Sequence, residues 1–265
     1  MQTSRPMPRL SFGTGGQGPR PLPEEVAVAL TFNGTTQAVM MATPADLVDF
    51  AYGFALSEGI ANPQEIDTVE VVEVANGLDV QIWLQAPAEA RLAKRRRTMA
   101  GPVGCGLCGI DSLDEAMRKL FPVQESSFTM TPDQVMHAVA ALPLAQPLHD
   151  ITRAVHAAGF WNGSLQATCE DVGRHNALDK LIGRMVQSGA SPAGAVLLTS
   201  RVSIDMVQKV AALGAPMLIA VSAPTAHAVT LADQAGITLI ALARPDRFDV
   251  FTHPDRLIED NAHVA

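Results

Sequence analysis

Tyrosine, tryptophan and cysteine are scarce in this chain of 265 residues, which has one tyrosine, two tryptophans and three cysteines. A small and odd number of cysteines does not fit the disulfide framework of a secreted protein. No apolar stretch is long enough to span a bilayer, and residues 1–23 lack the apolar segment of a signal peptide. We therefore expect a cytoplasmic protein whose thiols stay reduced.

A Walker phosphate-binding loop is also missing, which disfavours an ordinary ATPase. The formal net charge of −8 argues against general nucleic-acid binding. Hydrophobic residues make up 48% of the chain, enough for a substantial core in one large domain or two smaller ones. The composition thus predicts a globular protein that binds neither nucleic acid nor a membrane.

The hydrophobic pattern predicts an α/β protein, α+β overall, with two lobes. We expect a mobile tail over residues 1–23, a small α+β lobe over 24–120, a linker over 121–130 and a larger α/β lobe over 131–265. In the small lobe, Asn-Gly pairs at 33–34 and 76–77 mark two hairpin turns.

A helix is expected to begin at Thr43-Pro44, because threonine is a favourable N-cap and proline is favourable at the first helical position.

From residue 194 onwards, short apolar strands alternate with helices. The strands are predicted over 195–199, 216–221 and 237–242, and the helices over 204–213 and 226–234. Uniformly apolar strands that alternate with helices indicate a parallel sheet covered on both faces.

Two of the three cysteines, Cys105 and Cys108, share a loop that has glycine at positions 101, 104, 106 and 109. Glycine leaves no side chain over the sulfur, so such a loop presents its thiols instead of burying them. A Cys-x-x-Cys pair fits zinc ligation, thiol–disulfide exchange or nucleophilic sulfur chemistry. Zinc would need two further ligands at short spacing, and none follows. We predict no metal site, and we interpret Cys105 as a nucleophile that carries sulfur.

Basic residues 94–97 come just before this loop. On charge alone they fit a solvated helix end, whereas in a functional interpretation they stabilise a nearby thiolate.

The polar segment 170–180 has two interpretations as well. Arg174, His175 and Asn176 would lie at the amino end of a helix over 176–186, where free N–H groups bind anions. The alternative is an ordinary capped helix with salt bridges.

Three turns follow the carboxyl ends of the predicted parallel strands: 199–203, 222–225 and 244–247. Ligands of open α/β sheets bind at that edge. Hydroxyl groups, helix starts and arginines there suit a phosphate or pyrophosphate.

Several blocks resemble the FdhD/NarQ family of formate dehydrogenase accessory sulfurtransferases, and they occur in the family's order. They are residues 104–109, 170–180, 200–209 and 221–225, and the resemblance covers roughly 24 to 257. It implies that the larger lobe resembles the three-layer cytidine deaminase fold and that the protein forms a homodimer.

The resemblance also implies an activity. Members take sulfur from a cysteine desulfurase as a persulfide and pass it to the molybdenum cofactor, in its bis-molybdopterin guanine dinucleotide form, before its insertion into formate dehydrogenase. The persulfide carrier of the family maps to Cys105, and Cys108 is expected to be auxiliary. GDP-like nucleotides are expected to mimic the cofactor.

The family's cofactor-binding stretch maps to Leu242, Ala243, Arg244, Pro245, Asp246 and Arg247. The strand-end turns and the segment 170–180 add Ser203, Thr225, Arg174 and His175 as candidate cofactor-binding residues.

This chain departs from the family pattern at Arg153, where glycine is usual, and at Cys169, so the ligand pocket is expected to differ there. Two other functions remain open. One is a thiol–disulfide oxidoreductase that uses Cys105 and Cys108, and the other is a non-catalytic cofactor chaperone. A zinc deaminase is disfavoured because the His-x-Glu and Pro-Cys-x-x-Cys motifs are missing.

Overall fold

The computed structural model describes residues 1–13, 16, 18–96 and 122–258. In these ranges the chain forms three β-sheets and seven α-helices, which confirms the predicted mixed α/β class, α+β overall. The likeness to cytidine deaminase and the lobe boundaries stay predictions.

The strands are β1 (Ser4–Met7), β2 (Arg20–Pro23), β3 (Val26–Phe32), β4 (Thr35–Ala42), β5 (Ile66–Val74), β6 (Gly77–Leu84), β7 (His156–Trp161), β8 (Leu165–Asp171), β9 (Ala195–Leu198), β10 (Met217–Ala220), β11 (Thr238–Arg244) and β12 (Arg247–Val250). The helices are α1 (Leu47–Ser57), α2 (Ala86–Arg96), α3 (Pro132–Ala141), α4 (Pro147–Thr152), α5 (Arg174–Ser188), α6 (Ile204–Leu213) and α7 (Ala226–Gln234).

The first large sheet has four strands in the order β4-β3-β6-β5. Both predicted hairpins are confirmed, and β3 and β6 lie side by side in parallel. The sheet buries its inner face against α1, where the rings of Phe50 and Phe32 each lie 6.3 Å from the ring of Phe54. This apolar cluster is made by residues 28–92.

The second large sheet has six strands in the order β12-β11-β10-β9-β7-β8. Strands β9, β10 and β11 are parallel, as predicted, and β7, β8 and β12 add antiparallel edges. Successive strand residues face opposite sides of a sheet. Leu198 therefore packs in one apolar cluster with α5, α6 and α7, whereas Leu197 packs in another with α3. The sheet forms the middle of three layers.

Helix α1 begins three residues later than its sequence predicts. Its N-cap is Asp46, with a left-handed φ of 54°, and not Thr43. Thr43 is buried and bonded elsewhere: its N–H donates to Asp171 and its hydroxyl accepts from the N–H of Val172. A distant partner in the chain therefore replaces the local capping that the sequence indicates.

The segment 1–23, which the sequence predicts to be a mobile tail, contains the antiparallel pair β1–β2. The guanidinium of Arg9 donates to the carbonyls of Gly16 and Gly18, and Arg5 forms an ion pair with Glu24 at 3.0 Å. These contacts satisfy main-chain and charged groups in a segment rich in glycine and proline. Residues 122–129 have no helix or strand.

Helices α1 and α5 cross in close backbone contact at Gly53 and Gly183. A Cβ atom on Gly53 would lie 1.7 Å from the carbonyl oxygen of Asp179, and one on Gly183 would lie 1.8 Å from that of Asp49. Such distances exclude any side chain, and the obstacle on both sides is backbone, which cannot rotate away. The crossing attaches the four-stranded sheet to the six-stranded one.

Replacement of either glycine by alanine should push the two helices apart. We expect Gly53→Ala and Gly183→Ala each to lower the free energy of unfolding by about 2 kcal/mol or more, the cost of overpacking outweighing the helix propensity gained. Chemical denaturation measures the change. Gly16→Ala is the control, because its Cβ would meet only the Arg9 side chain at 3.8 Å. Equal stability of Gly53→Ala and this control would contradict the contact.

Candidate functional site at the carboxyl edge of the six-stranded sheet

The two predicted catalytic cysteines, Cys105 and Cys108, lie outside the described residues, as does Arg97. Residues 94–96 form the last turn of α2. The third cysteine, Cys169, lies in β8 and is buried. Burial raises the pKa of its thiol to about 12, so it stays protonated and unreactive at neutral pH.

The loops that follow β9, β10 and β11 lie together, as expected for the carboxyl ends of parallel strands. The N–H of Thr225 donates to the carbonyl of Val202 at 3.0 Å, and the N–H of Leu242 donates to that of Ser222 at 3.3 Å. Strands β7 and β8 are antiparallel, and His156 at the start of β7 pairs with Asp171 at the end of β8. Because β7 is also antiparallel to β9, both residues lie at the edge where β9 ends. The start of α5 therefore lies at this edge too.

The predicted hydroxyl residues both lie at helix starts, but they act differently. Thr225 caps α7, its hydroxyl accepting from the N–H of Ala228 at 3.2 Å. Ser203 is the N-cap residue of α6, but its side chain makes no capping bond and donates instead to Asp205 at 3.1 Å. In the first turn of α6 the carboxylate of Asp205 accepts from its own N–H, and the N–H of Met206 donates to the carbonyl of Ser203 at 3.1 Å.

Asp205 is a polar residue of this edge that the sequence did not single out. Its Oδ2 lies 3.0 Å from Nε2 of His175, which joins the start of α6 to the start of α5. The hydrogen bond from His175 is the largest of the causes that lower the pKa of Asp205. An acidic residue in the first turn of a helix is common, so sequence alone gave no reason to select it.

Arg174 and His156 add cationic and titratable groups. Arg174 begins α5, and its Nε is buried without a hydrogen-bond partner within the described ranges. Burial, followed by the positive charges of Arg174, His149 and His175, lowers the pKa of His156. A buried guanidinium nitrogen without a partner is costly, so it suits an anionic ligand that would accept its hydrogen bond.

The predicted cofactor-binding stretch, residues 242–247, lies at the hairpin between β11 and β12. Leu242 is exposed and has a left-handed φ of 53°, beside an irregularity in the strand pairing. The guanidinium of Arg244 donates to the carbonyls of Val221 and Ala243, which holds the hairpin against the β10 loop. Arg247 is 73% exposed and only loosely paired with Asp246 at 3.6 Å.

The structure thus brings together Arg174, His175, Ser203 and Thr225 with the 242–247 hairpin at one edge. Arg153, one of the two departures from the family pattern, follows α4 directly. It ends α4 with a left-handed φ of 60°, a conformation that favours glycine, and it points to solvent, paired with Asp150 at 3.5 Å. No group of three His, Cys, Asp or Glu side chains in the described parts of the chain could hold a metal ion.

The rest of the polar segment 170–180 has a different role, which the sequence analysis missed. Asp171 and Lys180 are fully buried and form an ion pair of 2.6 Å. Lys180 also donates to the carbonyl of Thr43 at 2.8 Å, and Asn176 donates to the carbonyl of Met41 at 2.9 Å. These bonds tie the end of β4 to the start of α5.

A second buried network joins the same two parts of the chain. Lys209 on α6 donates to both carboxylate oxygens of Asp179 at 2.9 and 3.0 Å, to Ser57 at 2.8 Å and to Glu58 at 2.9 Å. Burial alone would favour the neutral amine, but the carboxylates of Asp179 and Glu58 outweigh it and raise the pKa of Lys209. Lys209 therefore stays charged.

Loss of Lys180 should leave the carboxylate of Asp171 buried without its counter-charge. We expect Lys180→Met to lower the free energy of unfolding by about 3–5 kcal/mol. Arg91→Met is a matched control, since Arg91 and Glu65 also lie 2.6 Å apart but the arginine is 53% exposed. That change should cost less than about 1 kcal/mol. Denaturant titration compares the two, and similar losses would refute the assigned role of burial.

Taken together, these features define a mixed α/β protein with cationic groups and helix starts gathered at one sheet edge. The chain belongs to the FdhD/NarQ family, whose model matches residues 23–258.

Curated relatives support this membership. The chain is 53% identical over 253 residues to "Sulfur carrier protein FdhD" of Agrobacterium fabrum, which covers 94% of this chain and 93% of the relative. It is 49% identical over 243 residues to the protein of the same name from Cupriavidus necator, covering 90% of this chain and 84% of the relative.

A solved structure also matches. A crystal structure assigned as a formate dehydrogenase accessory protein from Desulfotalea psychrophila superposes with a TM-score of 0.76 at 26% identity, covering 97% of this chain and all of that one. Among the described residues, no helix is both long and apolar enough to cross a membrane.

Proposed function

We propose that this protein is a sulfur carrier that acts in the maturation of formate dehydrogenase. The observation that carries the proposal is the match to proteins named sulfur carrier protein FdhD, at 53% identity over 94% of the chain for one of them. The match to a formate dehydrogenase accessory protein over 97% of the chain agrees with it.

In this proposal Cys105 holds the sulfur. Its thiolate attacks the terminal sulfur of a persulfide on a cysteine desulfurase, so that a new S–S bond forms on Cys105 and the donor cysteine leaves as a thiolate. Glycines around Cys105 leave room for the donor. The basic residues 94–97, which precede the loop in the sequence, would favour the thiolate over the thiol. Cys108 is auxiliary.

The substrate that receives the sulfur is the molybdenum cofactor in its bis-molybdopterin guanine dinucleotide form. We propose that its guanine nucleotide binds at the carboxyl edge of the six-stranded sheet. Two observations support this: the buried Nε of Arg174 has no partner within the described ranges, and Arg247 is exposed. Both guanidinium groups suit phosphate oxygens of the bound cofactor.

The length of the chain permits the cysteines to reach this edge. Cys108 and Pro122 are fourteen positions apart in the sequence, and a fully extended chain of that length reaches about 46 Å. A lobe of about 130 residues has a radius of gyration of roughly 14 Å. We further propose that the protein works in the cytoplasm as a homodimer, with a cysteine desulfurase as donor and formate dehydrogenase as recipient.

Intact-mass analysis tests the sulfur carrier. After incubation with a cysteine desulfurase and cysteine, the wild type should gain the mass of one sulfur atom that a reductant removes. Cys105→Ala should gain none and should fail to restore formate dehydrogenase activity in cells, because the nucleophile is lost. Cys169→Ala is the matched control, since its buried thiol does not take part.

Charging of Cys105→Ala to the wild-type level would contradict the assignment. A reversible Cys105–Cys108 disulfide with turnover on protein substrates would favour a thiol–disulfide oxidoreductase. Normal formate dehydrogenase activation by a variant without both cysteines would favour a cofactor chaperone.

Calorimetric titration with GDP tests the nucleotide site. We expect Arg247→Ala to weaken binding about tenfold, because one charge-assisted hydrogen bond to a phosphate is lost. Arg91→Ala removes an equal charge from α2 and should bind GDP as the wild type does. Unchanged affinity in Arg247→Ala would exclude this arginine from the site.

A further inference from the structure

Asp205 holds His175 in one orientation at the start of α5. A single carboxylate oxygen of Asp205 lies 3.0 Å from Nε2 of His175 and 3.1 Å from the hydroxyl of Ser203. Both members of the pair are about four-fifths buried, with exposed side-chain fractions of 20% and 22%. The ring therefore has a fixed partner and little freedom to turn.

The chemistry of Asp205 fixes which atom of the ring donates. Its pKa is lowered, mainly by the bond from His175 and despite burial, so the carboxylate is ionised at neutral pH and can only accept. Nε2 of His175 must then carry the hydrogen. Nδ1 has no hydrogen-bond partner among the side chains and backbone groups that the structure describes, so it is the ring atom left for a ligand.

The other charged and titratable groups around His175 are mostly cationic or neutral. Arg174 precedes it on α5, His156 faces it from β7, and His149 lies on α4. The carboxylate of Glu170 is engaged by the N–H groups of Leu148 and His149. Because burial lowers the pKa of His156, that ring stays neutral at pH values where an ordinary imidazole gains a proton.

We propose that His175, oriented by Asp205, binds a pyrophosphate oxygen of the guanine dinucleotide with both ring nitrogens protonated, so that ligand binding takes up one proton at this ring. The proposal rests on the nucleotide site of the proposed function and adds a residue-specific chemistry to it. Asp205 is a positioning residue, since it acts through His175.

The physical basis is the charge on either side of the ring. A pyrophosphate ester has no proton to donate at neutral pH, so a neutral Nδ1 would face its oxygens with a lone pair. A protonated ring donates from Nε2 to Asp205 and from Nδ1 to the phosphate. Negative charge on both sides favours that protonated form, which is the usual effect of an opposite charge within hydrogen-bonding distance.

The experiment is calorimetric titration of the full chain with GDP-mannose between pH 6 and pH 8, each point in two buffers of different ionisation enthalpy. The pyrophosphate of this probe is esterified at both ends, so it does not titrate as the terminal phosphate of GDP does near pH 6. We expect net proton uptake by the wild type and affinity about tenfold weaker at pH 8 than at pH 6.

Two variants separate orientation from simple loss of charge. His175→Gln keeps hydrogen-bonding capacity but cannot titrate, so proton uptake should vanish. Asp205→Asn should reduce the pH dependence to less than about threefold, because a carboxamide no longer stabilises the protonated ring. Asp233→Asn is the matched control. Asp233 lies 3.6 Å from His253, near the end of α7 and so at the opposite edge of the sheet, and this change should leave the pH profile intact.

Each outcome has one meaning. Binding without proton uptake, or uptake that persists in His175→Gln, would overturn the role of His175 and leave the nucleotide site standing. No binding of GDP-mannose or GDP by the wild type would overturn the nucleotide site itself. Nitrogen NMR of the imidazoles in the ligand-free wild type needs no variant: a neutral His175 with its hydrogen on Nδ1 would contradict the orienting bond.

Discussion

The close crossing of α1 and α5 is the constraint on which the rest of the structure depends. Gly53 and Gly183 allow the two backbones to touch, and the buried pairs Lys180–Asp171 and Lys209–Asp179 lie beside that contact. Burying these charges is favourable only when each has its partner and its further hydrogen bonds. The crossing therefore fixes the start of α5 and, through Lys209, the position of α6. Those two helix starts form much of the carboxyl-edge site.

Much of the fold follows from local patterns in the sequence. The turn at Asn33-Gly34, the parallel strands after residue 194 and the helix over 226–234 all occur where the sequence predicts them. The start of α1 could not be predicted in this way. Thr43 and Pro44 have the properties of a helix start, but the groups that bind Thr43 lie about 130 residues further along the chain. Local propensity contains no information about such partners.

The site was predictable to a similar extent. Helix starts and strand ends indicated Arg174, His175, Ser203 and Thr225, because these positions depend on chain order alone. Asp205 and the separate role of Asp171 and Lys180 depend on which helix packs against which, and so were visible only in three dimensions. The polar segment 170–180 therefore serves two purposes: Arg174 and His175 face the edge, while the residues around them attach the two sheets.

The reciprocal contact of Gly53 and Gly183 also restricts how this chain can evolve. Most substitutions that fill a gap in a protein can be rescued by trimming the neighbouring side chain. Here the neighbour is the main-chain carbonyl of Asp179 or Asp49, which every amino acid possesses. No second substitution at the facing position can make room, so neither glycine can be replaced by a larger residue while the helices keep this spacing. The distance between the two helices therefore depends on both glycines together.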